Sequence, residues 1–161
     1  HAARLAPHLR VEELAEAAAM LERIDVVREG TIAGRLGARA MHDVTEGGIL
    51  GAVWEIAEAS RTGVRIDRDA IPVAPVTAAI CRFLGLDPLR LISSGSMVIA
   101  AGPAEAAAIT AALDAEGIRV TDIGCAIEGG SSILTWAGGE GPLDPPGRDE
   151  LYKVVFVDEA E

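Results

Sequence analysis

The sequence predicts an α+β fold, a mixed sheet covered by helices in an α/β sandwich, and three observations carry that expectation. Segments with apolar residues at every third or fourth position alternate irregularly with apolar runs of strand length. Half of the residues are hydrophobic but only 3% are aromatic, so the core must form from Ala, Val, Ile and Leu between closely approaching elements. A chain of 161 residues suffices for one domain with a real core, or one domain and a tail.

The elements follow in order. Val11, Leu14, Ala15, Ala18, Leu21 and Ile24 recur at helical spacing with Glu and Arg between them, which predicts a helix with one buried stripe. A second helix is expected over residues 26–36, stopped by Gly37. "ARAMH" reads as a short strand, and "DVTEGG" leads into a third helix over about 46–60. In "GVRID", Val64 and Ile66 alternate with Arg65 and Asp67 as in a half-buried strand. Residues 76–84 read as a helix closed by Gly85, and "LDPLRLISSGS" as a loop. "MVIAA" is a strand, and Pro103 starts a helix that reaches Glu116. "GIRVTDIGCAI" and "SSILTWA" suggest two further strands. "GGEGPLDPPGRDE" has turn and linker composition, and "LYKVVFVDEAE" is a short apolar segment with an acidic end.

The helical pattern already runs at residue 1, where His1 stands in place of Met, so the chain reads as a piece of something longer. Residues 1–25 are then an N-terminal helical remnant, 26–137 the domain, and 138–161 a linker and tail. The formal net charge of -11 argues against nucleic acid, whose phosphates demand clustered Lys and Arg. No signal-like or membrane-length apolar run occurs, and Cys81 and Cys125 lack CxxC spacing, which predicts a cytoplasmic protein with reduced thiols, no membrane partner, and two small core cysteines. His1 and His8 have no Cys or His at zinc spacing, so no metal site is expected.

The candidate site is the strand-to-helix turn. With Thr45 as N-cap, Glu46, Gly47 and Gly48 become the first helical residues, and two residues without Cβ let an anion approach the free N–H groups at the positive end of the helix dipole. The alternative is a tight turn whose glycines only let the helix pack on the sheet. The stretch is neither a P-loop nor a dinucleotide fingerprint, and Gly48 stands where a capping box needs Glu or Gln. His42 and Asp43, at the strand's carboxyl end, suit acid–base work or substrate orientation; equally, His42 can bond a backbone carbonyl and Asp43 serve the turn. "SSGS", with Ser94 and Gly95, is either a loop contacting phosphate or ribose or a simple turn, and it lacks the G-x-S-x-G frame of a serine hydrolase. No catalytic residue is assigned.

"AMHDVTEGGILGAVWEIAEAS" followed by "ICRFLGLDPLRLISSGSMVIAA" resembles the carboxyl-terminal domain of the aminoimidazole ribonucleotide (AIR) synthetase-like superfamily, nearest its hydrogenase-maturation-like and synthase-related branch. The resemblance runs from about Val26 to Ile127. It implies a two-domain, homodimeric, ATP-dependent ligase, synthetase or kinase. An amino-terminal domain would carry most of the ATP site, the Mg²⁺ ligands and the dimer contact, and this domain would close over a phosphate-bearing substrate or nucleotide. The chemistry would be ATP-driven activation of a carbonyl or amide oxygen, or phosphoryl transfer. His42, Asp43, Thr45, Gly47 and Gly48 are the positions it would place at the cleft. Lacking that amino-terminal partner, the chain alone is not expected to turn over. Cyanide-forming members end in a carbamoyl-accepting cysteine, whereas "VDEAE" follows here, which argues against that product. The alternative function is a non-catalytic ligand-binding, regulatory or scaffolding module of the same fold.

Overall fold

The computed structural model describes residues 5–155; the helical onset expected at His1 and the acidic end "VDEAE" lie outside the described residues. Helix α1 (Val11–Ala19) opens with the Arg10 N–H donating to Glu13 Oε2 at 2.8 Å. After Ala19 the chain tightens into a 3-10 turn over Met20–Arg23, so the expected single helix to Ile24 does not form. Its stripe is not buried either. No residue of α1 is buried, and Val11 is 78% exposed, because the segment leans on the rest of the domain at only a few points, such as the His8 ring against Phe83.

Next come α2 (Val27–Arg35), β1 (Ala40–Asp43), α3 (Gly48–Ser60), β2 (Gly63–Asp67) and α4 (Pro75–Leu84). They are followed by β3 (Met97–Ala100), α5 (Pro103–Ala115), β4 (Gly124–Ile127), β5 (Ile133–Trp136), β6 (Gly139–Pro142) and α6 (Tyr152–Val155). β1 and β3 form an antiparallel ribbon in which Asp43 lies opposite Met97. A second sheet has the order β4-β2-β5-β6; β2 and β5 are parallel and the other pairs antiparallel, so the sheet is mixed as expected.

Two cores hold these layers together. Leu50, Val53 and Ala57 of α3 pack against Val64 and Ile66 of β2, Leu134 of β5 and Leu143. The other core joins Ala33 of α2 to Ile109 and Leu113 of α5, with Ile99 of β3 against them. The stretch before β4 crosses between the two cores: Ile118 and Val120 face the second, Ile123 the first, so only Gly124–Ile127 is free to pair as a strand. Cys81 is buried, and burial, then the charges of Asp87 and Glu150, push its thiol pKa up. Cys125 is exposed on the edge strand β4, contrary to the core placement expected of it.

The largest departure lies in residues 138–150. Their Gly and Pro content predicts turn and linker, yet β6 pairs with β5 from Trp136–Gly139 to Ile133–Pro142, and Leu143 enters the first core. Asp149 and Glu150 beyond it are only 4% and 8% exposed. Residues 139–143, bonded in register and anchored by a buried Leu, are part of the body of the protein.

Candidate functional site: the two turns at the end of the ribbon

β1 ends at Asp43 and α3 starts at Gly48. Between them Val44 is fully buried, and its N–H donates to the Ser96 carbonyl at 2.9 Å, which ties this turn to the head of β3. Thr45 is not the N-cap. Its carbonyl accepts from the Gly48 N–H at 3.1 Å, and Gly47 caps the helix with φ 83° and ψ -2°, the left-handed geometry demanded at the third position of a type II turn. Glu46 and Gly47 therefore precede the helix, and Gly48 alone of the three expected residues belongs to it.

Contacts account for both glycines. A Cβ on Gly48 would lie 2.5 Å from the Leu89 carbonyl oxygen and 2.8 Å from that of Leu91, and one on Gly47 would lie 2.9 Å from Pro146 Cβ. The helix terminus is closed by the chain itself. The Gly47 N–H donates to Asp149 Oδ2 at 2.8 Å, a buried bond across 102 residues, and the Leu50 N–H donates to the Leu89 carbonyl at 3.1 Å. Asp149 holds its own turn with Oδ1, which accepts from the Leu151 N–H at 2.8 Å. A carboxylate thus sits where the helix dipole favours negative charge.

Glu150 continues the arrangement. Its carboxylate accepts from the Asp87 N–H at 3.0 Å and from Lys153 Nζ at 2.6 Å. Burial pushes its pKa up, but the bonds from Lys153 and Asp87, with the charges of Lys153 and Arg90, outweigh it and hold the carboxyl below the ordinary 4.5. Asp87 belongs to "LGLDPL", so this stretch and "HDVTEGG" meet beneath Asp149 and Glu150. On the outer side the Tyr152 hydroxyl donates to Glu46 Oε1 at 2.8 Å; that bond and the Glu46 charge raise the phenol's pKa.

His42 donates from Nδ1 to the Asp43 carbonyl at 2.5 Å, and its Nε2 lies 2.7 Å from Glu55 Oε2 on α3. The ring pins β1 to the helix, and the Asp43 side chain stays largely exposed. The Ser93–Ser96 turn lies beside it, closed by the Ser96 N–H on the Ser93 carbonyl at 3.1 Å, with Gly95 at φ 93°. Ser94 and Ser96 are exposed, whereas a Cβ on Gly95 would lie 2.0 Å from the Arg23 carbonyl oxygen. A shallow apolar groove lined by Val26, Val27, Gly30, Met41 and Met97 opens next to Asp43.

The fold therefore brings His42, Asp43, Thr45, Glu46, Ser94 and Gly95 to one end of the ribbon and puts the Gly47–Gly48 backbone under cover. Sequence reasoning missed Glu55, Asp87, Asp149, Glu150 and Tyr152. The adjacent acidic pair in "GRDE" was the one available signal, and it looked like solvated tail. Among the described residues no group of three or more His, Cys, Asp or Glu is placed to hold a metal ion, and no helix is long and apolar enough to cross a membrane.

Comparison with known proteins gives one consistent result. Residues 3–137 match the model of the AIR synthase related protein, C-terminal domain. The carbamoyl dehydratase HypE of Rhizobium leguminosarum bv. viciae is 39% identical over 129 residues, covering 71% of this chain and 37% of the relative. The crystal structure of E. coli HypE, a hydrogenase maturation protein, superposes with TM-score 0.70 at 30% identity, over 80% of this chain and 42% of that one. A hydrogenase maturation protein HypE in complex with ATP superposes with TM-score 0.62 at 27% identity, over 69% of this chain and 36% of that one. The chain thus spans well under half the length of these relatives.

Proposed function

The chain belongs to the AIR synthase related protein, C-terminal domain family, and from that premise we propose that it is the substrate-closing domain of an ATP-dependent enzyme that activates the oxygen of a carbamoyl group. Dehydrating a primary carboxamide requires its oxygen to leave, and transfer of a phosphoryl group from ATP turns that oxygen into a leaving group. The protein's part in such chemistry is positioning and charge stabilisation. ATP and Mg²⁺ are assigned mainly to the portion of the longer relatives that this chain does not span, and the homodimer contact to the same portion.

One observation carries the reading for this chain. "HDVTEGG" and "SSGS" meet at a single end of the β1–β3 ribbon, where the side chains of Asp43, Thr45, Glu46 and Ser94 are exposed. Thr45 and Ser94 offer hydroxyl donors to phosphate oxygens, and Asp43 and Glu46 offer acceptors to the N–H groups of a carbamoyl amide. Gly47 adds a backbone donor only if Asp149 is displaced from its N–H, while the Gly48 N–H is held by the Thr45 carbonyl. A cysteine-bearing tail plays no part in this assignment, because the last residues of the chain decide nothing about the activity. A non-catalytic module of the same fold is the second reading, and the internally closed helix terminus favours it.

An amide chemical-shift titration with MgATP and with pyrophosphate tests the proposal. Saturable shifts over residues 43–46 and 93–96 are the expected result. Shifts confined to other surfaces would remove these turns from the ligand site.

A further inference from the structure

We propose that a proton on His42 switches the tie between the two turns at the end of the β1–β3 ribbon, with Glu55 as the positioning residue that makes the switch. The inference rests on the reading of those turns as the ligand contact. His42 Nδ1 lies 2.5 Å from the Asp43 carbonyl oxygen and Nε2 lies 2.7 Å from Glu55 Oε2, so both ring nitrogens face acceptors. A neutral imidazole has one N–H and one lone pair, and only the imidazolium donates at both ends. The geometry is that of the protonated ring. Its second proton sits on the imidazole and not on Glu55, because a carboxylic acid is the stronger acid of the two.

The groups around the ring favour that state. From α3 it meets the Glu55 carboxylate, and from its own strand the Asp43 carboxylate, whose Oδ1 lies 3.7 Å from Nδ1. From β3, which pairs with β1, it meets no charge, since Met97–Ala100 contains no ionisable residue. Helix α2 meets the opposite face of β1, through Met41 at Gly34. The His42 side chain is 27% exposed, so solvent reaches the ring and the proton can exchange.

The ring acts on the peptide that joins the turns. The Asp43 carbonyl and the Val44 N–H belong to one peptide group, and that N–H donates to the Ser96 carbonyl at 2.9 Å. His42 thus holds one side of a peptide whose other side ties the first turn to the second. When the ring loses a proton, the remaining one stays with the stronger acceptor, on Nε2 facing the Glu55 carboxylate. Nδ1 then turns a lone pair on the Asp43 carbonyl oxygen, and the peptide loses its anchor. A peptide free to tilt loosens the bond to Ser96, and Asp43, Thr45 and Ser94 lose their fixed spacing. The turns are tied while His42 is charged and slacken as the pH rises through its titration.

The test uses the whole chain, wild type and Glu55→Gln, and follows the His42 ring nitrogens and the backbone amides by NMR from about pH 5 to 8, the range in which histidines change charge. In the wild type the neutral ring is expected as the Nε2–H tautomer, with a step in the Val44, Gly95 and Ser96 amides at the midpoint of the ring titration. In Glu55→Gln the side-chain amide can accept from the charged ring and, turned over, donate to the neutral one, so Nδ1 keeps its proton and the step at the turns is lost. Sulfate, whose charge is constant in this range, is expected to bind the wild type about threefold more weakly above the transition than below it, and Glu55→Gln without that step. An Nδ1–H tautomer in the neutral wild type, or an amide step that survives in Glu55→Gln, would overturn the switch. Sulfate shifts over residues 43–46 and 93–96 that saturate alike at every pH would overturn it as a control on ligand binding. A proton-coupled step at the turns with no sulfate shift at any pH would leave the switch standing and remove the anion reading of the turns beneath it.

Discussion

Thr45–Gly48 and Ser93–Ser96 are turns of the same build that came to opposite uses. Each closes with an N–H of its fourth residue on the carbonyl of its first, and each has a left-handed glycine at its third position, Gly47 at φ 83° and Gly95 at φ 93°. They sit side by side at the end of the β1–β3 ribbon. Behind the first turn, the helix terminus is sealed by Asp149, Leu89 and Pro146. The second turn leaves Ser94 and Ser96 in the open, and its glycine accommodates the Arg23 backbone. A glycine in such a turn reports that backbone passes close by. Whether a ligand also does is decided by what lies over the N–H groups.

The largest effect is expected at Gly48. Ala there must adopt φ 63° with its Cβ 2.5 Å from the Leu89 carbonyl oxygen, in the buried junction between α3 and the first core. Left-handed strain and overpacking together should cost about 4 kcal/mol in urea unfolding. Gly95→Ala meets the same backbone strain, but the Arg23–Ile24 segment that it presses lies at the surface and can yield, so about 2.5 kcal/mol is expected. A larger loss at Gly95 than at Gly48 would reverse the view that the first turn is the structural one.

Asp149→Ala should cost about 2 kcal/mol, because it removes a charge-assisted bond and strands the Gly47 N–H. The next effect depends on pH. Glu150 has its folded pKa held below the ordinary 4.5, so its contribution to stability is complete above that value and is lost as the pH falls through it towards the folded pKa. Acid titration of stability should accordingly show a shallower fall below pH 4.5 in Glu150→Gln than in the wild type. An unchanged slope would dissociate Glu150 from the closure of the first turn. The smallest effect belongs to His42 and Glu55. Their contact is partly exposed, and a double-mutant cycle with His42→Ala and Glu55→Gln should return about 0.5 kcal/mol of coupling.

Much of the fold was legible because it rests on local periodicity. The apolar spacing that defines α3, the Val64 and Ile66 alternation in β2, and the Pro starts of α4 and α5 are each written within a few residues. The errors share one physical cause. The stripe of α1 has the spacing of a buried helix but little to bury against, and "GGEGPLDPPGRDE" has linker composition but a strand partner in β5. In both cases the outcome depended on a neighbour that the local sequence does not mention.

The sequence by itself determined the layered fold class, the motifs that tie the chain to its family, and the place of a glycine pair where strand gives way to helix. Only the tertiary structure decided which donors at that helix end are free. The Gly47 N–H meets a carboxylate 102 residues away, and the Asp87 N–H meets Glu150 63 residues away. Such bonds have no periodic signature. They exist because the closing of β6 on β5 and the burial of Leu143 carry two acidic residues back over the start of α3, where the backbone dipoles favour negative charge.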